Sequence, residues 1–140
     1  LAKARSGEGL SRLDELLRGA ESVGRYRLLL GEVQAANAGE LRGLGDRVRG
    51  ALGQGAAILH ATAAGKTSFL AVVTDELASA GRLRADALLR AVTAVAGGSG
   101  GGRPDMALGG AGDPAKVGAA VAEAGRLLRA ELERLQAEDG

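Results

Sequence analysis

The sequence predicts an α/β domain of α+β-like order, a small mixed sheet of about four strands packed by helices. Three observations carry that prediction. Apolar residues recur at helical spacing in several separate segments, ending in a long C-terminal amphipathic stretch. Between them lie short runs rich in Leu, Val and Ala that suit buried strands. Glycines and the two prolines punctuate the boundaries, which gives the order β-α-β-β-α-(β)-α.

The elements follow in order. Leu10, Leu13, Leu17, Ala20 and Val23 share one face of a helix, with Ser11 and Asp14 as a capping box and Gly24 as its stop. Arg25 to Gln34 reads as a strand, and the unbroken Leu28, Leu29 and Leu30 predict burial on both faces. Asn37 and Glu40 are spaced as N-cap and third residue of a second helix, whose stripe is Leu41, Leu44, Val48 and Leu52. Residues 56–62 and 67–74 read as a hairpin turning through Ala63, Ala64, Gly65 and Lys66. Thr74 caps a short helix over Asp75 to Ala80, and a longer one runs from Arg84 to Ala96 with Leu88, Val92 and Val95 inward. Asp105 to Leu108 is expected to be a short edge strand, since Pro104 cannot donate to a ladder. Asp113 and Pro114 open the last helix as N-cap and first residue, with Val117, Val121, Ala124, Leu128, Leu132 and Leu135 on its stripe.

Composition narrows the chemistry. There is no Cys, which excludes disulfides, thiolate metal sites and Cys nucleophiles. The one histidine, His60, lies on a strand face with Ile58 and Thr62 and reads as structural. With no Trp, the aromatic residues Tyr26 and Phe69 are too few for a base-stacking platform and are expected in the core. No apolar run reaches the roughly 20 residues that span a bilayer, so a soluble, cytoplasmic chain is expected. Eighteen basic against 17 acidic residues give +1, so any polyanion site must be a local patch. Arg outnumbers Lys 15 to 3, favouring forked donors suited to phosphate. A start at Leu1 rather than Met predicts a piece of something longer.

Three segments invite a function. Gly65, Lys66 and Thr67 resemble the end of a phosphate-binding loop, but His60 stands where its first Gly is needed and a strand-like run follows. The tract Gly97, Gly98, Ser99, Gly100, Gly101, Gly102 is costly to order unless bare backbone must approach something. As a loop it reads either as an anion-binding nest of N–H groups with Arg103 beside it, or as a linker or tight turn. Residues 82–104 set Arg82, Arg84, Arg90 and Arg103 against Asp86 alone. In the last helix, Leu128, Leu132 and Leu135 either pack on the sheet or dock a second copy.

The run Gly97 to Ala107 reads Gly-Gly-Ser-Gly-Gly-Gly-Arg-Pro-Asp-Met-Ala, and Asp113-Pro114 with an Ala-rich helix follows. This segment resembles the C-terminal domain of alanyl-tRNA synthetase, a domain shared with phosphoesterases of the DHH class. The likeness extends back to about Val23. The phosphoesterase branch usually has His where Arg103 stands and lacks the Pro-Asp-Met step. Departures from the family pattern are Ser99 at a commonly basic position, Leu108 and Gly109 for Gln-Ala, and Ala111 for Gly.

The resemblance implies a non-catalytic module, with residues 1–22 as the end of a helical linker and 23–140 as the globular domain. It would contact the outer corner of tRNA, that for alanine, and support aminoacylation and editing within the rest of the synthetase. Expected RNA contacts are residues Gly97 to Gly102 with Arg103, helped electrostatically by Lys66, Arg82, Arg84 and Arg90. No cofactor is expected in this segment; ATP and zinc would belong to the parent ligase. Two rival expectations are a homodimerisation module of the same enzyme and the substrate-binding domain of a DHH-type phosphoesterase.

Overall fold

Strand alternation sends Leu28 and Leu29 to opposite faces of one sheet, and each is buried in a separate core. The computed structural model describes residues 12–139. A short helix, α1, covers residues 12–18. The strands are β1 (Glu21–Val23), β2 (Tyr26–Glu32), β3 (Gly55–Ala63), β4 (Lys66–Val73), β5 (Ser99–Gly102) and β6 (Met106–Gly110). The helices are α2 (Ala38–Ala51), α3 (Asp75–Ser79), α4 (Ala85–Val95) and, after a 3-10 turn over Pro114–Lys116, α5 (Val117–Asp139). The sheet order is β1-β2-β3-β4-β6-β5, with only β2 and β3 parallel, joined by α2. Helix α2 covers one face, and α4 with α5 covers the other.

Local chemistry sets these boundaries. The Asn37 side chain accepts from Glu40 N at 2.9 Å, and Glu40 Oε1 accepts from Ala36 N at 2.9 Å, satisfying donors at the start of α2. The β3–β4 hairpin turns through Ala64 and Gly65, at φ 53° and 77°, the double left-handed turn that matches strand twist. A strand follows Lys66, so this segment lacks the helix that a phosphate loop requires. Asp113 accepts from Ala115 N at 3.0 Å and Pro114 takes the first helical position, as their spacing predicts. Thr74 precedes α3 but makes no side-chain cap. Its hydroxyl instead bonds Gly55 N and O, tying the end of β4 to the start of β3.

Three expectations need correction, and two of them, β1 and β5, turn about four strands into six among the described residues. The first helix ends near Gly19, and residues 21–23 form β1, paired with β2. Leu10 and Ser11 of that expected helix lie outside the described residues. The glycine tract supplies a strand, β5, where a loop was expected over Ser99 to Gly102. Consequently β6 is interior and β5 is the edge. Tyr26 and Phe69 are buried, as the aromatic poverty suggests. Among the described residues no helix is long and apolar enough to cross a membrane.

Candidate nucleic-acid interface

The residues of the glycine tract answer to different local demands. Gly97, at φ 70°, ends α4: its N–H donates to Ala94 O and that of Gly98 donates to Thr93 O, the paired bonds of a Schellman stop. A Cβ on Gly98 would lie 1.9 Å from Gly110 O, because two backbones touch there. A Cβ on Gly100 would meet Leu89 Cδ2 at 2.9 Å and Gly109 Cα at 2.6 Å, so α4 sits directly on the strand. On Gly102 it would meet Ala107 Cα at 2.7 Å. Gly101 differs, since a Cβ there would meet nothing within 4 Å. It faces the α2 side of the sheet and borders a groove of about 340 Å³ lined by Arg42, Gly101, Gly102, Arg103, Met106, Ala107 and Leu108.

Pairing fixes what the edge presents. Arg103 N donates to Met106 O at 2.9 Å, closing the β5–β6 hairpin over Pro104 and Asp105. Antiparallel alternation then turns both the N–H and the C=O groups of Gly100 and Gly102 away from β6, the two N–H groups roughly 7 Å apart. Ser99 carries the one side chain on this edge strand, so little shields these donors.

Arginines bracket the edge on both faces. On the α2 side, Arg42 reaches the groove from α2 and makes no ion pair among the described residues. Arg103 is 71% exposed and pairs with Asp105 at 3.4 Å. Asp105 is itself held by Arg49 at 2.5 Å. On the α4 side, Arg84 and Arg90 both pair with the buried carboxylate of Asp86. The Arg84 bond and both arginine charges hold that carboxyl below the usual carboxylate range, against the opposing effect of burial.

The other expected site residues divide. Ser99 opens β5, and Lys66 is exposed at the β3–β4 turn, beyond the end where Ser68, Gly110 and Ser99 lie in register. Arg82 points elsewhere. Its guanidinium bonds Asp139, Glu138 and the Tyr26 hydroxyl, and its pKa is raised first by the Asp139 bond. Leu128, Leu132 and Leu135 are 0% exposed in the core under α5, so their side chains pack within the chain rather than facing a second copy. Sequence reasoning misses Arg42, which lies far from the glycine tract along the chain, between the apolar positions Leu41 and Leu44. Nothing local marks it; only the packing of α2 on the sheet brings it to β5. Among the described residues no group of three His, Cys, Asp or Glu could hold a metal ion.

Comparison with known families bears on this arrangement. The family model described as the DHHA1 domain matches residues 26–130, from the start of β2 into α5. The chain belongs to the DHHA1 family. An alanine–tRNA ligase from Roseiflexus sp. (strain RS-1) is 41% identical to this DHHA1 domain over 121 residues, 86% of the chain. One from Sorangium cellulosum (strain So ce56) is 39% identical over 129 residues, 91% of the chain. The chain spans only 13% and 14% of the length of these two ligases. Among solved structures, the C-Ala domain from Aquifex aeolicus alanyl-tRNA synthetase superposes with a TM-score of 0.67 at 31% identity. That match covers 81% of this DHHA1 domain and 97% of the other chain.

Proposed function

We propose that this DHHA1 domain is the tRNA-binding C-terminal module of an alanine–tRNA ligase, and that RNA backbone lies along the β5 edge. The observation that carries this is Gly101. Packing accounts for its neighbours Gly98, Gly100 and Gly102, whereas Gly101 leaves bare backbone beside a groove flanked by Arg42 and Arg103. Outward N–H groups at Gly100 and Gly102 and forked guanidiniums are the donors that phosphate oxygens accept from. With Tyr26 and Phe69 in the core, the edge reads backbone and shape rather than stacked bases. The likeness to the C-Ala domain and to alanine–tRNA ligases supports tRNA, that for alanine, as the RNA and the rest of the synthetase as its covalent partner.

In this reading the module works in the cytoplasm, needs no cofactor of its own, and holds tRNA while aminoacylation and editing proceed elsewhere. Binding is electrostatic and falls steeply with salt. The test is titration of the chain with alanine tRNA and an unrelated tRNA at two salt concentrations, for wild type, Arg42→Ala and Arg103→Ala. The expected result is salt-sensitive binding of both RNAs that each substitution weakens, with the logarithmic salt slope reduced by about one. Binding indifferent to both substitutions would remove the β5 edge from the mechanism.

A further inference from the structure

Asp86 is an unusual acid. It lies in the first turn of α4, 4% exposed, in a part of the chain where the other formal charges are arginines. Arg84 Nε and Nη2 donate to its two oxygens at 3.0 and 3.2 Å, and Arg90 Nη2 lies 3.4 Å from Oδ2. Both guanidinium side chains are themselves well exposed, at 54% and 65%. A buried anion therefore holds two cations that reach solvent.

The direction of that display follows from the helix. Ala87, Leu88 and Ala91 line the groove between α4 and Leu127 of α5. Helical spacing puts Asp86, Arg90 and Thr93 on the other flank. That flank adjoins β5, against which the neighbouring Leu89 packs at Gly100. Arg84 stands just before α4, at one end of the groove, and its bonds to Asp86 turn the guanidinium toward the β5 flank. The following Ala85 N–H donates to Pro104 O at 2.7 Å, beside Arg103.

We propose that Asp86 is a positioning residue, which fixes Arg84 and Arg90 along the β5 edge as a rigid pair of phosphate contacts on the face opposite Arg42 and Arg103. This rests on the reading of that edge as the RNA site. Free arginine side chains lose much rotamer freedom on binding, and a carboxylate that has already ordered them removes part of that cost. Contacts on both faces also let the edge grip a backbone from two sides.

The charge of Asp86 makes the test sharp. Removing an acid from a polyanion site strengthens binding if only the summed field matters. Positioning predicts the reverse. Alanine tRNA is titrated at several salt concentrations with wild type, Asp86→Asn, Asp86→Ser and the double variant Arg84→Ala/Arg90→Ala, each checked for folding by circular dichroism. The expected result is a several-fold higher Kd for a folded Asp86 variant and a salt slope shallower by about one to two, matching the double variant. Tighter or unchanged binding by a folded Asp86 variant, with the double variant impaired, overturns positioning alone. An unimpaired double variant overturns the α4 flank of the site, while the Arg42 and Arg103 variants test the edge itself. If both Asp86 variants unfold, the decisive comparison is Arg84→Ala against Arg90→Ala. Cooperative losses, each single variant as weak as the double, support a paired device, and additive losses overturn it.

Discussion

His60 sits half-buried on β3, across from Phe69 at a ring separation of 5.9 Å, with Glu32 beside it on β2. Its Nδ1 is buried without a hydrogen-bond partner. Burial holds the imidazole below the usual histidine range, and Glu32 opposes the shift only in part. Below about pH 6.5 the unfolded chain takes up a proton that the folded chain resists, so stability falls as pH falls. Above that value the contribution is fully present. His60 is the only histidine, so its ring resonances can be followed without assignment by mutation. An NMR titration should give a midpoint below about 6.5 in the folded protein, and a midpoint at or above it would contradict a burial-dominated site.

At the scale of elements, β5 and α4 are matched through absent side chains. Gly100→Ala places a methyl against Leu89 and the backbone of Gly109, so it should destabilise the chain by about 1–3 kcal/mol. Gly101→Ala points into open space and should leave the melting temperature nearly unchanged. Thermal melts of the two variants check the contrast, and equal effects would refute the facing of this strand. The same pair explains what the sequence conveys. Helices α2, α4 and α5 and the β3–β4 hairpin are legible because Leu41, Val48, Leu88, Val92, Leu128 and Leu132 carry the helical period, Asn37 and Asp113 carry caps, and Gly65 marks the turn. A strand made of Ser99 and three glycines has no periodicity to read. Its pairing with β6 is a tertiary fact, and it moves β6 from the edge to the interior. Strand β1 is hidden for a related reason: Leu17, Ala20 and Val23 keep a helical spacing although the helix has ended by Gly19. At the candidate site, Arg103 and the glycines are legible as a local run, whereas Arg42 reaches them only through the packing of α2.

The whole molecule is closed by a clasp between the start of β2 and the end of α5. The Tyr26 hydroxyl bonds the Asp139 carboxylate, Arg82 joins both, and Gln136 Oε1 accepts from Arg25 N at 3.1 Å. Tyr26 and Asp139 are 113 residues apart, so this contact requires β2 and the last turn of α5 to be in place together. Tyr26→Phe keeps the buried ring and removes the bridging oxygen. It should lower the melting temperature by a few degrees without altering secondary structure, as thermal melts followed by circular dichroism will show. A melting temperature equal to wild type would mean that the Tyr26 hydroxyl adds nothing to stability beyond the Arg82–Asp139 and Arg25–Gln136 bonds that remain.

That clasp has an optical consequence. The chain has one Tyr and no Trp, so its near-ultraviolet absorbance and emission arise almost wholly from Tyr26. A phenol bonded to a carboxylate and sealed from water differs in colour and brightness from one in solvent. The protein thus carries a single built-in probe, placed where its second strand and last helix meet. Its signal reports whether those distant parts of the chain are joined, with no label added.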